Sequence, residues 1–156
     1  MLKINSGALK IARIRDVKMP LRGTTGSAGI DFFVPNNYPE SLCTVMPGDR
    51  FFIPSGIKAK VPEGYALIAF NKSGVALKKG LVTGACVVDS DYEGEIHIHL
   101  INVGTKPVTI APGEKLVQFL LTPISHCDIE ETTEENLFTG YSSERGGGGF
   151  GSTGTE

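Results

Sequence analysis

The chain has no tryptophan and only three cysteines, Cys43, Cys86 and Cys127, set far apart. An odd number at wide spacing forms neither a zinc pattern nor a disulfide framework, and points to a reducing compartment. Net charge is nearly missing as well: 15 Lys and Arg against 17 Asp and Glu give −2. That removes the basic footprint of a nucleic-acid-binding protein, so any phosphate site must be local. No apolar run approaches membrane-spanning length, and the opening MLKINSGALK lacks the apolar core of a signal peptide. A soluble, cytoplasmic protein with no membrane or nucleic-acid partner is expected.

Glycine and proline are what the chain does have, 20 and 9 among 156 residues. That length suits one core, and that composition suits short strands joined by tight turns. Apolar stretches at 9–17, 28–33, 50–57, 65–70, 97–102 and 115–121 read as strands. Turn signals fall between them, as in Met46-Pro47-Gly48-Asp49, Val61-Pro62-Glu63-Gly64 and Ala111-Pro112-Gly113-Glu114. The spacing predicts an all-β sandwich or barrel. One short helix is predicted over 75–79, with Ser73 as N-cap and Gly80 closing it. From Asp128 onward acids, threonines and serines replace the pattern, and a linker is expected.

Residues 84–96, GACVVDSDYEGEI, place carboxylates at every second position: Asp89, Asp91, Glu93 and Glu95. In one extended strand these would share a face and repel. Either the chain turns within the stretch, as Gly94 permits, or a cation sits against part of it. A solvated acidic hairpin satisfies the same pattern. The tail from Arg145 to Gly154, RGGGGFGSTG, combines bare amides, one guanidinium, one aromatic ring and two hydroxyls. Such a segment can wrap phosphates and lay a ring on a base, or serve as a Gly-rich linker.

Three further stretches carry polar residues in apolar company. Asp31 interrupts Ala28-Gly29-Ile30-Asp31-Phe32-Phe33, where it is either a satisfied cap or faces a polar site. Ser73, in Asn71-Lys72-Ser73-Gly74, either caps the helix or meets an anion there. Gln118, inside KLVQFLL, must find partners in the protein or in a ligand. His97 and His99 share a strand face but lack further ligands, and read as ordinary strand residues.

Together AGID, NKSG, GACVVDSDYEG, KLVQFLL and RGGGGFGSTG resemble the five signature motifs of the homotrimeric dUTPase family, across nearly the whole chain. The resemblance implies a jelly-roll-like β-barrel over 1–127 and a flexible C-terminal arm over 128–156 that closes on nucleotide. It implies a dUTP pyrophosphatase, yielding dUMP and pyrophosphate, limiting uracil in DNA and supplying dUMP for dTMP synthesis. Asp89 would be the base holding the attacking water, and Mg²⁺ would be held by the substrate phosphates and water, with Asp31 as water-mediated support. Lys72, Ser73, Gly74 and Gln118 would bind the phosphates. Gly84 and Val87 would border the uracil, with Tyr92 against the deoxyribose. Arg145 would contact the γ-phosphate and Phe150 stack on the base, while Gly151, Ser152 and Thr153 hold phosphate oxygens. Sites shared between subunits of a homotrimer follow from the same resemblance.

Some positions depart from the family pattern. Asn71-Lys72 stands where Pro-Arg is usual, Lys115 where Arg is frequent, and Cys86 where Gly is common. Lysine keeps the charge but loses the bidentate fork. Two other functions share part of the pattern: a dCTP deaminase of the same fold, and a non-catalytic regulator that uses the nucleotide as a signal. The Gly-rich tail opposes the first. Retention of Asp89, Arg145 and Phe150 opposes loss of catalysis.

Overall fold

The computed structural model describes residues 7–38 and 43–148. The chain divides into two compact units, residues 1–125 and 126–156. In the first unit the strands are β1 (Lys10–Arg13), β2 (Ile30–Phe33), β3 (Cys43–Val45), β4 (Arg50–Pro54), β5 (Ile57–Lys60) and β6 (Tyr65–Asn71). After the helix α1 (Ser73–Lys79) come β7 (Leu81–Thr83), β8 (Val87–Val88), β9 (His97–Asn102), β10 (Val108–Ile110) and β11 (Lys115–Pro123). All pairings are antiparallel. A four-stranded sheet runs β2-β11-β6-β8 and a three-stranded sheet β4-β9-β7, with the pairs β1-β5 and β10-β3 beside them. This is the expected all-β jelly roll.

The core follows from alternation. In β9 the residues Ile98, Leu100 and Asn102 are buried, whereas His97 and Ile101 are not. Asn102 is fully buried without penalty. Its amide donates to the carbonyls of Val45 and Lys106, both at 2.9 Å, and its oxygen accepts from Gly104 at 2.9 Å. Phe32, Ile53, Leu67, Leu116 and Phe119 complete the apolar interior.

Local differences from the sequence reading have physical causes. The strand expected over 50–57 breaks at Ser55-Gly56, where Gly56 takes φ 72° and sends β5 toward β1. Ser73 is not the N-cap of α1. That position belongs to Lys72, in extended conformation and without a side-chain cap bond, since an ammonium has no acceptor to offer the helix N–H groups; it donates to Asp31. Gly80 closes the helix at φ 66°, as expected.

The second unit holds a further helix, α2 (Glu134–Leu137), where only linker was expected. Its first turn carries Glu134 and Glu135, a favourable placement for acids at a helix start. The single-helix expectation is corrected on this point. Among the described residues no helix is long and apolar enough to cross a membrane.

Candidate active site

Asp31, Lys72, Lys115 and Gln118 come together at the four-stranded sheet. Register sets Gln118 of β11 opposite Asp31 of β2 and Phe70 of β6. Lys115 and Gln118 lie three apart, which in a regular strand would put them on opposite faces. A bulge between Lys115 and Val117 shifts the register by one, so both fall on the face of Asp31. Lys115 Nζ reaches Asp31 Oδ2 at 3.0 Å, while Lys72 Nζ donates to Oδ1.

Asp31 is thus a buried carboxylate, with its side chain 7% exposed, held between two ammonium groups. Burial pushes its pKa up, but the hydrogen bonds and charges of Lys72 and Lys115 outweigh that and hold it below the ordinary carboxylate range. Two cations against one anion leave a surplus positive charge beside the start of α1. Ser73 and Gly74 are exposed there. Gln118 Nε2 donates to the Asn71 carbonyl at 2.9 Å, and its Oε1 lies so close to Gly29 that a Cβ there would stand 2.0 Å away. Gly29 is required by that approach.

A depressed carboxylate pKa contributes stability above its unfolded value, near 3.9, and loses it as pH falls through the folded value. Asp31→Asn is therefore expected to lower stability at pH 7 by about 1–3 kcal/mol, through unpaired ammonium groups. The deficit should shrink as pH drops below about 4, where wild type protonates too. Urea midpoints for both proteins from pH 7 to pH 2 check this; a constant gap would deny Asp31 its charged role.

The acidic stretch resolves both ways at once. The chain turns at Asp89–Tyr92, with Tyr92 N–H donating to the Asp89 carbonyl at 3.3 Å. Glu95 is rotated away to a bidentate pair with Arg15, at 2.7 and 2.9 Å, and accepts the Gly56 N–H at 2.8 Å. The Arg15 hydrogen bonds lower the Glu95 pKa against its burial. Asp89 follows β8, is exposed, and enters none of the ion pairs found among the described residues. Beside it lies a cleft of about 220 Å³ lined by Phe52, Ala85, Cys86, Val87, Tyr92 and His99, among others. Tyr92 anchors its hydroxyl on the Glu95 carbonyl at 3.0 Å and leaves its ring partly open. Gly84 adjoins this cleft, and Gly84 N–H donates to the His99 carbonyl at 3.0 Å.

Larger depressions exist elsewhere, including one of about 440 Å³ between the end of α1 and Thr109. It is lined by lysines, apolar groups and backbone, and offers neither a carboxylate nor an aromatic ring. The cleft beside Asp89 is smaller but brings a carboxylate, aromatic rings and two histidines together.

In the second unit Arg145 is exposed and sits in a turn, with Gly148 N–H donating to its carbonyl at 3.0 Å and Gly146 N–H to Ser143 Oγ at 3.1 Å. Phe150, Gly151, Ser152 and Thr153, expected to close on nucleotide, lie outside the described residues. Among the described residues no three His, Cys, Asp or Glu side chains cluster as a metal site.

A family model described as dUTPase matches residues 15–154. The chain belongs to the dUTPase family. It is 37% identical over 148 residues to a deoxyuridine 5'-triphosphate nucleotidohydrolase of Fusobacterium nucleatum, covering 94% of this chain and 96% of that one. To the Chlamydia pneumoniae protein of the same name it is 39% identical over 139 residues, with 88% and 91% covered. Among solved structures it is similar to Staphylococcus bacteriophage 80alpha dUTPase with dUPNHPP, at a TM-score of 0.81 and 24% identity, covering 96% of this chain and 99% of that one. That likeness carries the fold. In another similar structure, a mutant dUTPase from phage phi11 of S. aureus, a structural Mg(II) ion is coordinated; the TM-score is 0.72 at 21% identity, with 82% and 98% covered.

Sequence reading missed two members of this constellation. Asn71, at the end of β6, ties the four-stranded sheet to β7: its Oδ1 accepts from Thr83 N–H at 2.7 Å and Oγ1 at 3.1 Å. His99, taken for an ordinary strand residue, forms a wall of the cleft. Its position on a strand that alternates buried and open residues was the available signal, but alternation does not say what the open face meets.

Proposed function

We propose that this chain is a dUTP pyrophosphatase, converting dUTP and water to dUMP and pyrophosphate by attack at the α-phosphorus. By doing so it would limit uracil in DNA and supply dUMP for dTMP synthesis. The observation that carries this is the pairing of two chemically distinct places in one dUTPase-family body. One is the cationic patch of Lys72 and Lys115 around Asp31, with Gln118 and Ser73 beside it. The other is the cleft holding Asp89 and Tyr92. The reading includes a homotrimer whose sites take phosphate-binding residues from one subunit and the hairpin from another.

In this reading Lys72, Ser73, Gly74 and Gln118 receive the phosphate oxygens, and the surplus positive charge offsets the triphosphate. Gly84 and Val87 border the uracil. Asp89, without a cationic partner among the described residues, holds the water and takes its proton. Residues 1–127 form the catalytic body. Residues 128–156 form the arm, with Arg145 toward the γ-phosphate and Phe150, Gly151, Ser152 and Thr153 toward base and phosphates. Exclusion of bulk water on closure favours the single positioned nucleophile.

The donor set fits Mg²⁺ carried in by the triphosphate rather than caged by protein, since no carboxylate cluster forms among the described residues and both Asp31 oxygens already face ammonium groups. Asp31 retains lone pairs to accept from a metal-bound water and would give that support only. The ion would supply charge neutralisation at the phosphates.

Pyrophosphate release measured across dUTP, dCTP, dTTP and UTP tests the reading; activity confined to dUTP is expected. Ammonia release from dCTP would replace it with a deaminase. Within the same assay Tyr92→Ala should raise the UTP-to-dUTP ratio of kcat/KM by about tenfold, because the ring no longer excludes a 2′-hydroxyl. An unchanged ratio would make Tyr92 a packing residue.

A further inference from the structure

His99 occupies an unusual position for a strand residue. Its carbonyl accepts the Gly84 N–H at 3.0 Å, and its Nδ1 accepts the next amide, Ala85 N–H, at 2.7 Å. One residue therefore engages two consecutive donors of the segment that walls the cleft. As an acceptor Nδ1 carries no proton, so the ring is the tautomer protonated on Nε2. That Nε2 is buried and has no partner among the described residues. A buried donor without an acceptor is costly, so the ring is not held there by its own satisfaction.

Two packing features hold it instead. The imidazole stacks on Phe52, its directly paired residue on β4, with centroids 4.2 Å apart and planes 3° from parallel. On the other side it lies against Gly84, where a Cβ would stand 2.2 Å from Nδ1. No other residue type at 84 leaves that space. The ring is thus clamped with its acceptor aimed at one amide.

The consequence lies in which backbone groups remain. With the N–H groups of Gly84 and Ala85 held by His99, and the Cys86 carbonyl accepting from Ala69 at 2.7 Å, the polar edge left to the cleft is fixed. We propose that His99 is a positioning residue for nucleobase recognition: its Nδ1 fixes the backbone edge of residues 84–87 that the pyrimidine meets. This rests on the dUTP reading of the cleft. It assigns to His99 a role in base affinity and selectivity, and none in the chemical step.

Asparagine and glutamine separate the acceptor from the ring. Asn places its oxygen near the position of Nδ1, whereas Gln places its terminal atoms one bond farther, near Nε2. His99→Val and His99→Gln are expected to raise KM for dUTP about tenfold or more and to narrow the dUTP-to-dCTP ratio of kcat/KM, with kcat within about twofold. His99→Asn should restore KM to within about threefold of wild type. Equal thermal transitions of the Asn and Gln variants serve as the control for folding, so that a difference in KM between them reports acceptor position. Unchanged KM in the Val and Gln variants, or equal loss in Asn and Gln, overturns the proposal. If wild type itself releases no pyrophosphate from dUTP, the functional reading fails, a result distinct from either.

Discussion

Asp89→Asn is expected to lower turnover of dUTP by at least about a hundredfold while leaving nucleotide binding in place, in line with the contribution of a general base. The substitution preserves shape and removes only the proton acceptor. Asp89 is suited to the test because it stands exposed after β8 and enters none of the ion pairs found among the described residues. Loss of its charge should therefore break no structural contact. Single-turnover rates and equilibrium binding of a non-hydrolysable analogue separate the two effects. Near-normal turnover in the variant would show that another group activates the water.

Removing residues 144–156 is expected to abolish most activity and leave a folded protein, since α2, the arm's own helix, buries no side chain and the core belongs to residues 1–125. A collapsed thermal transition on truncation would make the arm structural. The same truncation tests the proposed sharing of sites. Co-expressed with Asp89→Ala, each chain is inactive alone. In a cyclic trimer every mixed assembly contains one step at which an intact hairpin meets an intact tail. Random mixing makes about three quarters of trimers mixed, each with one good site in three, so about a quarter of wild-type activity should return. Mixed trimers identified by mass spectrometry but lacking activity would defeat the shared site.

The residue string by itself determined the class of the fold and most of its strands. Alternation in HIHLIN and the apolar run of KLVQFLL leave few choices, because a strand's faces are dictated by a period of two. Turn chemistry at Pro47-Gly48 and Pro112-Gly113 then separates those strands. The family, too, was legible from its motifs, since their residue types and order survive at 37% identity to a relative.

Tertiary structure alone decided how the polar residues pair. Nothing in the spacing of Asp31, Lys72 and Lys115 says that one buried carboxylate holds two ammonium groups. That arrangement needs β2 beside β11 and a bulge that shifts Lys115 and Gln118 to one face. The four alternating acids were a puzzle with two answers, and the structure used both: a turn at Asp89–Tyr92 and an arginine, 80 residues away in sequence, for Glu95. Lys72, not Ser73, stands at the N-cap of α1, and its ammonium reaches Asp31, 41 residues away in sequence. His99 was the least legible of all, because its role comes from Phe52 on one side and Gly84 on the other, two contacts brought together only by strand pairing and chain approach. Local pattern fixes which way a side chain points; only the packed chain fixes what it meets there.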